Sequence, residues 1–213
     1  MKSLRLLFTL IALATFSITA YAQDEDEEKW RNFEVGIHTG LNIPSGDFAD
    51  WNDSLGAKTG FNVSLSGGYY FTTDFCTGVY FSYTQNGMEG DWGQRYRLYD
   101  MGVYAKYAFS NESNFEPYVK VTGGIVYPKF PTWVTPERNK LREQSYDPGI
   151  SLGGYLGILW YTAEFGGLFL EAGYHNDLVK DVEANYQGEV HKMPGDLNYI
   201  EIRTGITAYF GSE

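Results

Sequence analysis

The stretch Asn198 to Phe210 puts two different demands on its surroundings. In an extended ribbon Ile200, Ile202, Ile206, Ala208 and Phe210 share one side, and Tyr199, Glu201, Arg203, Gly205 and Thr207 share the other. One face requires an apolar neighbour and the other requires water or polar partners.

Seven earlier stretches repeat this period of two: about 33–42, 59–71, 75–85, 95–109, 117–127, 149–161 and 167–176. In the first, Phe33, Val35, Ile37 and Leu41 oppose Glu34, Gly36, His38 and Gly40. In the fourth, Lys106 sits within a run of apolar residues, which requires its face to be wet. The connections between the eight strands measure 16, 3, 9, 7, 21, 5 and 19 residues, long and short in turn. Transmembrane barrels have short turns on one side of the bilayer and long loops on the other, whereas a soluble sandwich has no reason to alternate. The longest connection, Pro128 to Pro148, reads as a loop, as does the polar gap Asp177 to Gly195. Tyr69, Phe71, Phe75, Tyr107, Phe109, Trp160, Tyr161 and Phe210 fall beside short turns or the C-terminus, where an aromatic girdle belongs. Tyr83, Tyr99, Tyr127 and Tyr174 fall near the long-loop ends.

The N-terminus supplies the compartment. Lys2 and Arg5 precede a mostly apolar run from Leu6 to Ile18, and Ala20-Tyr21-Ala22 has the small-x-small form of a signal-peptidase site. Residues 1–22 read as a signal peptide cleaved after Ala22, residues 23–32 as a flexible acidic lead containing Trp30, and residues 33–210 as one barrel domain. Removing Lys2 and Arg5 from 16 basic residues leaves 14 against 27 acidic ones, a formal charge of −13, which disfavours nucleic acid as a partner. The single cysteine, Cys76, excludes an internal disulfide framework and reads as a small interior residue.

The last strand also carries the spacing Arg203-x-Gly205-x-x-Ala208-x-Phe210, which resembles the C-terminal assembly signal of bacterial outer-membrane β-barrels. Together with the leader, the alternating strands and the alternating connections, the chain is similar to the small outer-membrane barrel family, OmpA-like and OmpW-like. The resemblance covers roughly Phe33 to Phe210, although Gly211-Ser212-Glu213 follow the terminal aromatic. It implies an all-β fold, an eight-stranded antiparallel up-and-down transmembrane β-barrel in the bacterial outer membrane, with both termini in the periplasm. The partners it implies are outer-membrane lipids and lipopolysaccharide, and the barrel assembly machinery during biogenesis; small solutes are possible cargo.

A barrel of eight strands is just wide enough to be filled by side chains or to hold something small. The interior faces gather Glu34, His38, Asp100, Lys106, Lys120, Glu171, His175, Glu201 and Arg203 among glycines and serines. Opposite charges there should pair, with Glu34, Lys106, Lys120, Glu171, Glu201 and Arg203 as a luminal cluster centred on Arg203, Glu171 and Glu34. Such a cluster stiffens the lumen or gates a narrow pore.

Catalysis has little support. His38, His175 and His191 show no metal-ligand spacing, so neither a metal nor another cofactor is expected. Tyr174-His175-Asn176-Asp177 invites comparison with lipid A deacylase barrels, in which a serine follows the histidine two residues on; Asp177 stands in that place. Asp47, Asp50 and Asp53 read as solvated loop carboxylates. Lys129, Arg138, Lys140 and Arg142 read as a solvated basic loop that can meet lipopolysaccharide phosphates. The expected function is non-enzymatic: a structural barrel or narrow porin-like channel. The alternatives are a loop-based adhesion or ligand-binding protein and a lipid A-modifying enzyme.

Overall fold

The computed structural model describes residues 32–50, 56–89, 95–111, 113–132, 142–145, 147–163, 165–180, 182–186, 189–193 and 195–211. The leader, Trp30 and most of the acidic lead lie outside them.

Among the described residues eleven strands are present: β1 Phe33–Ser45, β2 Ala57–Tyr70, β3 Phe75–Met88, β4 Arg95–Ala108, β5 Phe115–Thr132, β6 Arg142–Ser145, β7 Gly149–Ala163, β8 Gly166–Leu178, β9 Val182–Tyr186, β10 Glu189–Met193 and β11 Asp196–Phe210. Eight of them form the wall in the order β1-β2-β3-β4-β5-β7-β8-β11, every neighbour is antiparallel, and β11 returns to pair with β1. Closure removes the sheet edges that hydrocarbon could not satisfy.

The cross-strand partners run from Ile37 through Leu65, Phe81, Met101, Ile125, Ile150, Leu178 and Asp196, and the register of β1 with β11 then returns ten residues further along β1. With a rise of about 3.3 Å per residue and a strand spacing of about 4.8 Å, that stagger tilts the strands by about 41° and sets a wall radius of about 8 Å. Such a bore is filled once side chains point into it.

The alternation assigns the two faces. Val35, Ile37, Val103, Val121, Leu156, Leu170 and Ile206 are exposed on the outside, while the polar residues between them are buried inside. Two outward threonines, Thr39 and Thr204, face each other across β1 and β11, and each donates its hydroxyl to a neighbouring strand's carbonyl, those of Asn62 and Phe169. This satisfies them within an apolar belt. At the short-turn end, ring contacts run from Phe33 to Tyr69, from Tyr69 to Phe71 and from Phe71 to Phe75, and link Tyr107 to Phe109 and Phe115 to Trp160. Tyr161 does not join that girdle: adjacent residues of a strand face opposite sides, so with Trp160 outside, Tyr161 turns inward onto Tyr209 and Glu116.

Three sequence expectations need correction. β3 runs on to Met88 and β5 begins at Phe115, so the connections 89–94 and 109–114 are both six residues and the length contrast disappears there. The stretch Pro128 to Pro148 is not wholly loop: β5 continues past the apolar belt to Thr132, where its carbonyls and amides find β6 as partner. The gap Asp177 to Gly195 likewise contains the hairpin β9–β10.

Candidate luminal site

The interior is stacked in layers. At the loop end, Phe48 from the 3-10 turn Gly46–Phe48 folds back over the bore and packs with Tyr96, Leu98, Val126, Phe130, Leu197 and Tyr199. At the short-turn end, Tyr70, Cys76, Tyr104, Tyr118, Leu159, Phe169 and Tyr209 form a second, largely aromatic layer. Between and among them lie three charged tiers.

In the lowest tier Lys106 pairs with Glu34, whose carboxylate also accepts the hydroxyls of Tyr70 at 2.9 Å and Tyr104 at 2.7 Å. In the middle tier Glu171 accepts from Lys120 at 2.6 Å, Arg203 at 2.7 Å and Tyr118 at 2.9 Å. Arg203 also reaches Glu201 at 3.3 Å, and its guanidinium lies 4.0 Å from the centre of the Tyr155 ring. Glu201 accepts from Asn62 at 2.5 Å and from the Tyr155 hydroxyl at 2.6 Å. In the upper tier His175 stacks on Tyr199 with centroids 4.9 Å apart and meets Ser151, Asp177 and Asp100 through Nε2.

The six residues expected to form one luminal cluster are all buried inside, but they divide. Arg203 and Glu171 are direct cross-strand partners and meet there. Glu34 does not join them. It pairs across the bore with Lys106, three strands away round the wall, because Lys106 and Lys120 stand opposite each other on β4 and β5 and each must find its own carboxylate. The tyrosines that hold these carboxylates, Tyr70, Tyr104, Tyr118 and Tyr155, are functional side chains that the sequence reading missed. Two of them face glycines: Tyr118 sits opposite Gly157 and Tyr155 opposite Gly173, and a Cβ at either glycine would fall onto the ring. Inward tyrosine opposite inward glycine was the available sequence signal.

Of the histidines, His38 shares a hydrogen bond with Ser66 at 2.8 Å and meets the Phe169 ring, and His191 lies in β10. Asp177, expected to begin a loop, is the inward residue of the penultimate pair of β8, two positions from His175 on the same face. Among the described residues Asp100, His175 and Asp177 are the one group of ligand-type side chains close enough to share an ion, a grouping that the spacing of the histidines in the sequence does not show. In the terminal motif Arg203 and Gly205 face inward, and Ala208 and Phe210 outward. Of the acidic loop residues, Asp47 lies in the 3-10 turn, Asp50 follows it, and Asp53 is outside the described residues. Lys129 lies 5.1 Å above the Tyr99 ring, Arg142 belongs to β6, and Arg138 and Lys140 are outside the described residues.

The wall, its stagger and its layered polar interior are those of a small membrane barrel. The model of the outer membrane protein beta-barrel domain matches residues 8–130, more than half of the chain. The chain belongs to that family. Family membership places it in the bacterial outer membrane. Its fold is similar to the crystal structure of Neisserial surface protein A, at 20% identity and a TM-score of 0.57, over 84% of this chain and 97% of that one. It is also similar to the outer membrane protein OprG from Pseudomonas aeruginosa, at 15% identity and a TM-score of 0.53, over 88% and 100%. The outer membrane protein AlkL, determined in DMPC bilayers, matches at 11% identity and a TM-score of 0.50, over 90% and 96%. No curated protein matches the sequence. At these identities the solved structures share the barrel fold with this family member and nothing finer.

Proposed function

We propose that this protein is a non-enzymatic structural barrel of the outer membrane, with its termini and short turns on the periplasmic side and a lumen that acts as a strut instead of a pore. The observation that carries this reading is the filling of the bore. Three charged tiers and an apolar layer beneath the loops leave a cavity of about 50 Å³. That is room for a few waters and not for a hydrated ion in transit. Passage would require breaking the pairs of Arg203 with Glu171 and Glu201, each of which is buried. Export is proposed to follow cleavage after Ala22, and N-terminal sequencing of the protein from outer membranes should then begin at Gln23.

Single-channel recording of refolded protein in a planar bilayer tests the strut. Wild type should be silent while remaining heat-modifiable on gels, and Glu201→Gln or Arg203→Gln should give openings by releasing the middle tier. A reproducible wild-type conductance that these substitutions alter would instead make the lumen a narrow channel gated by the same pairs.

A further inference from the structure

The three charged tiers are not equally balanced. Glu34 faces Lys106, and Glu171 with Glu201 faces Lys120 with Arg203, so the lower two tiers are neutral. The upper tier holds two carboxylates, Asp100 and Asp177. Among the described residues His175 is the one basic group in ion-pair contact with them.

The hydrogen bonds fix which ring nitrogen faces that excess charge. The Tyr155 hydroxyl gives its single proton to Glu201 at 2.6 Å, so toward His175 Nδ1, 2.7 Å away, it accepts. Nδ1 therefore carries the ring proton, and a neutral ring turns the Nε2 lone pair toward Asp177 Oδ1 at 3.1 Å and Asp100 Oδ2 at 3.4 Å. Carboxylate oxygens cannot donate to it, and the nearby Ser151 hydroxyl gives its single proton to Asp100 Oδ2 at 2.8 Å. A cation between the three atoms removes the conflict, and a protein-held N–H on the far nitrogen is how metal-binding imidazoles are oriented.

The spacing suits such an ion. Bonds of about 2.1 Å at tetrahedral angles hold ligand atoms about 3.4 Å apart. One ligand atom from each of Asp100, His175 and Asp177 lies within 4.8 Å of the others, and Ser151 Oγ stands 2.7 Å from Nε2 and 2.8 Å from Asp100 Oδ2 as a further oxygen. The supporting contacts are present too: Tyr199 donates to Asp177 and Tyr80 to Asp100, both at 2.9 Å. Independently of the charge count, Asp100 Oδ1 is buried without any hydrogen-bond partner, on a side chain 5% exposed that lines the central cavity with His175. One imidazole, two carboxylates and a hydroxyl are too few oxygens for calcium and suit a divalent transition ion such as zinc.

We propose that Asp100, His175 and Asp177 form a divalent transition-metal site inside the lumen, with Ser151 or a cavity water completing the shell, that ties β4 to β8 across the bore and neutralises the upper tier. The site does not depend on whether the barrel conducts. The test is to refold the mature chain in detergent with EDTA or with zinc chloride, remove free metal, and measure zinc by mass spectrometry and thermal unfolding by circular dichroism. The zinc-refolded protein should retain about one zinc per chain and melt higher than the chelated one. Cobalt in place of zinc should give the visible bands of a tetrahedral site on wild-type protein, a readout that needs no variant. His175→Gln and Asp177→Asn should abolish retention, Tyr199→Phe should weaken affinity about tenfold, and His38→Gln, outside the site, should leave it unchanged. Folded wild-type protein that retains no zinc and shows no cobalt bands, with His175 protonated on both nitrogens by nitrogen-15 NMR, would overturn the proposal: a proton would then fill the place of the ion.

Discussion

Arg203 is the residue on which the middle tier closes, since it touches both Glu171 and Glu201 and covers the Tyr155 ring. Arg203→Met leaves two buried carboxylates sharing Lys120, and urea unfolding in lipid vesicles should show a loss of about 3–5 kcal/mol. Replacing Glu34 and Lys106 together by Gln and Met should cost much less than either alone, because no uncompensated charge remains. Outside the barrel the outcome differs. Lys180 donates to Asp147 where both are exposed, and this holds the Asp147 carboxyl below its usual range. Any stability from that pair is present at neutral pH and fades as pH falls through the lowered value. The NMR midpoint of Asp147 should rise in Lys180→Ala with no measurable change in melting, since water screens the pair.

The connection between β1 and β2 is an element with a structural duty. Its 3-10 turn delivers Phe48, fully buried, into ring contact with Tyr96 and Tyr199. Phe48→Ala should cost about 3–5 kcal/mol in the same unfolding assay by leaving a void beneath the loops. The short turns are held by local polar groups instead. Thr72 Oγ1 accepts the Phe75 amide at 3.0 Å, and Asn111 Oδ1 accepts the Ser113 amide at 2.7 Å. Thr and Asn at these places give their own backbone a ready partner, which is why such brief connections suffice. β5 shows the opposite case, a strand that outgrows its barrel and recruits β6 from what composition marks as loop.

At the scale of the whole molecule, the belt and the lumen are two surfaces of one sheet with opposite solvents. Leu156, 70% exposed at the middle of β7, faces hydrocarbon in the membrane, and Leu156→Arg should destabilise the folded barrel by about 2–4 kcal/mol in vesicles. In contrast, Lys106 and Lys120 on inward faces belong to the native fold because carboxylates meet them. The eight strands, their inward and outward residues and the closed antiparallel wall were legible in the sequence, since a period of two repeated eight times leaves one face for lipid and one for polar contacts. The pairing of Arg203 with Glu171 was legible as well, as neighbours on adjacent strands. Contacts across the bore were not: Glu34 with Lys106, and Asp100 with His175 and Asp177, join strands that are not neighbours, and their meeting depends on the ten-residue stagger and on which tyrosines and glycines share a level. The sequence by itself determined the faces, because side-chain direction in a strand is a local property. Only the tertiary structure decided the partners, because a closed barrel brings together residues whose separation is set by tilt and register and not by position along the chain.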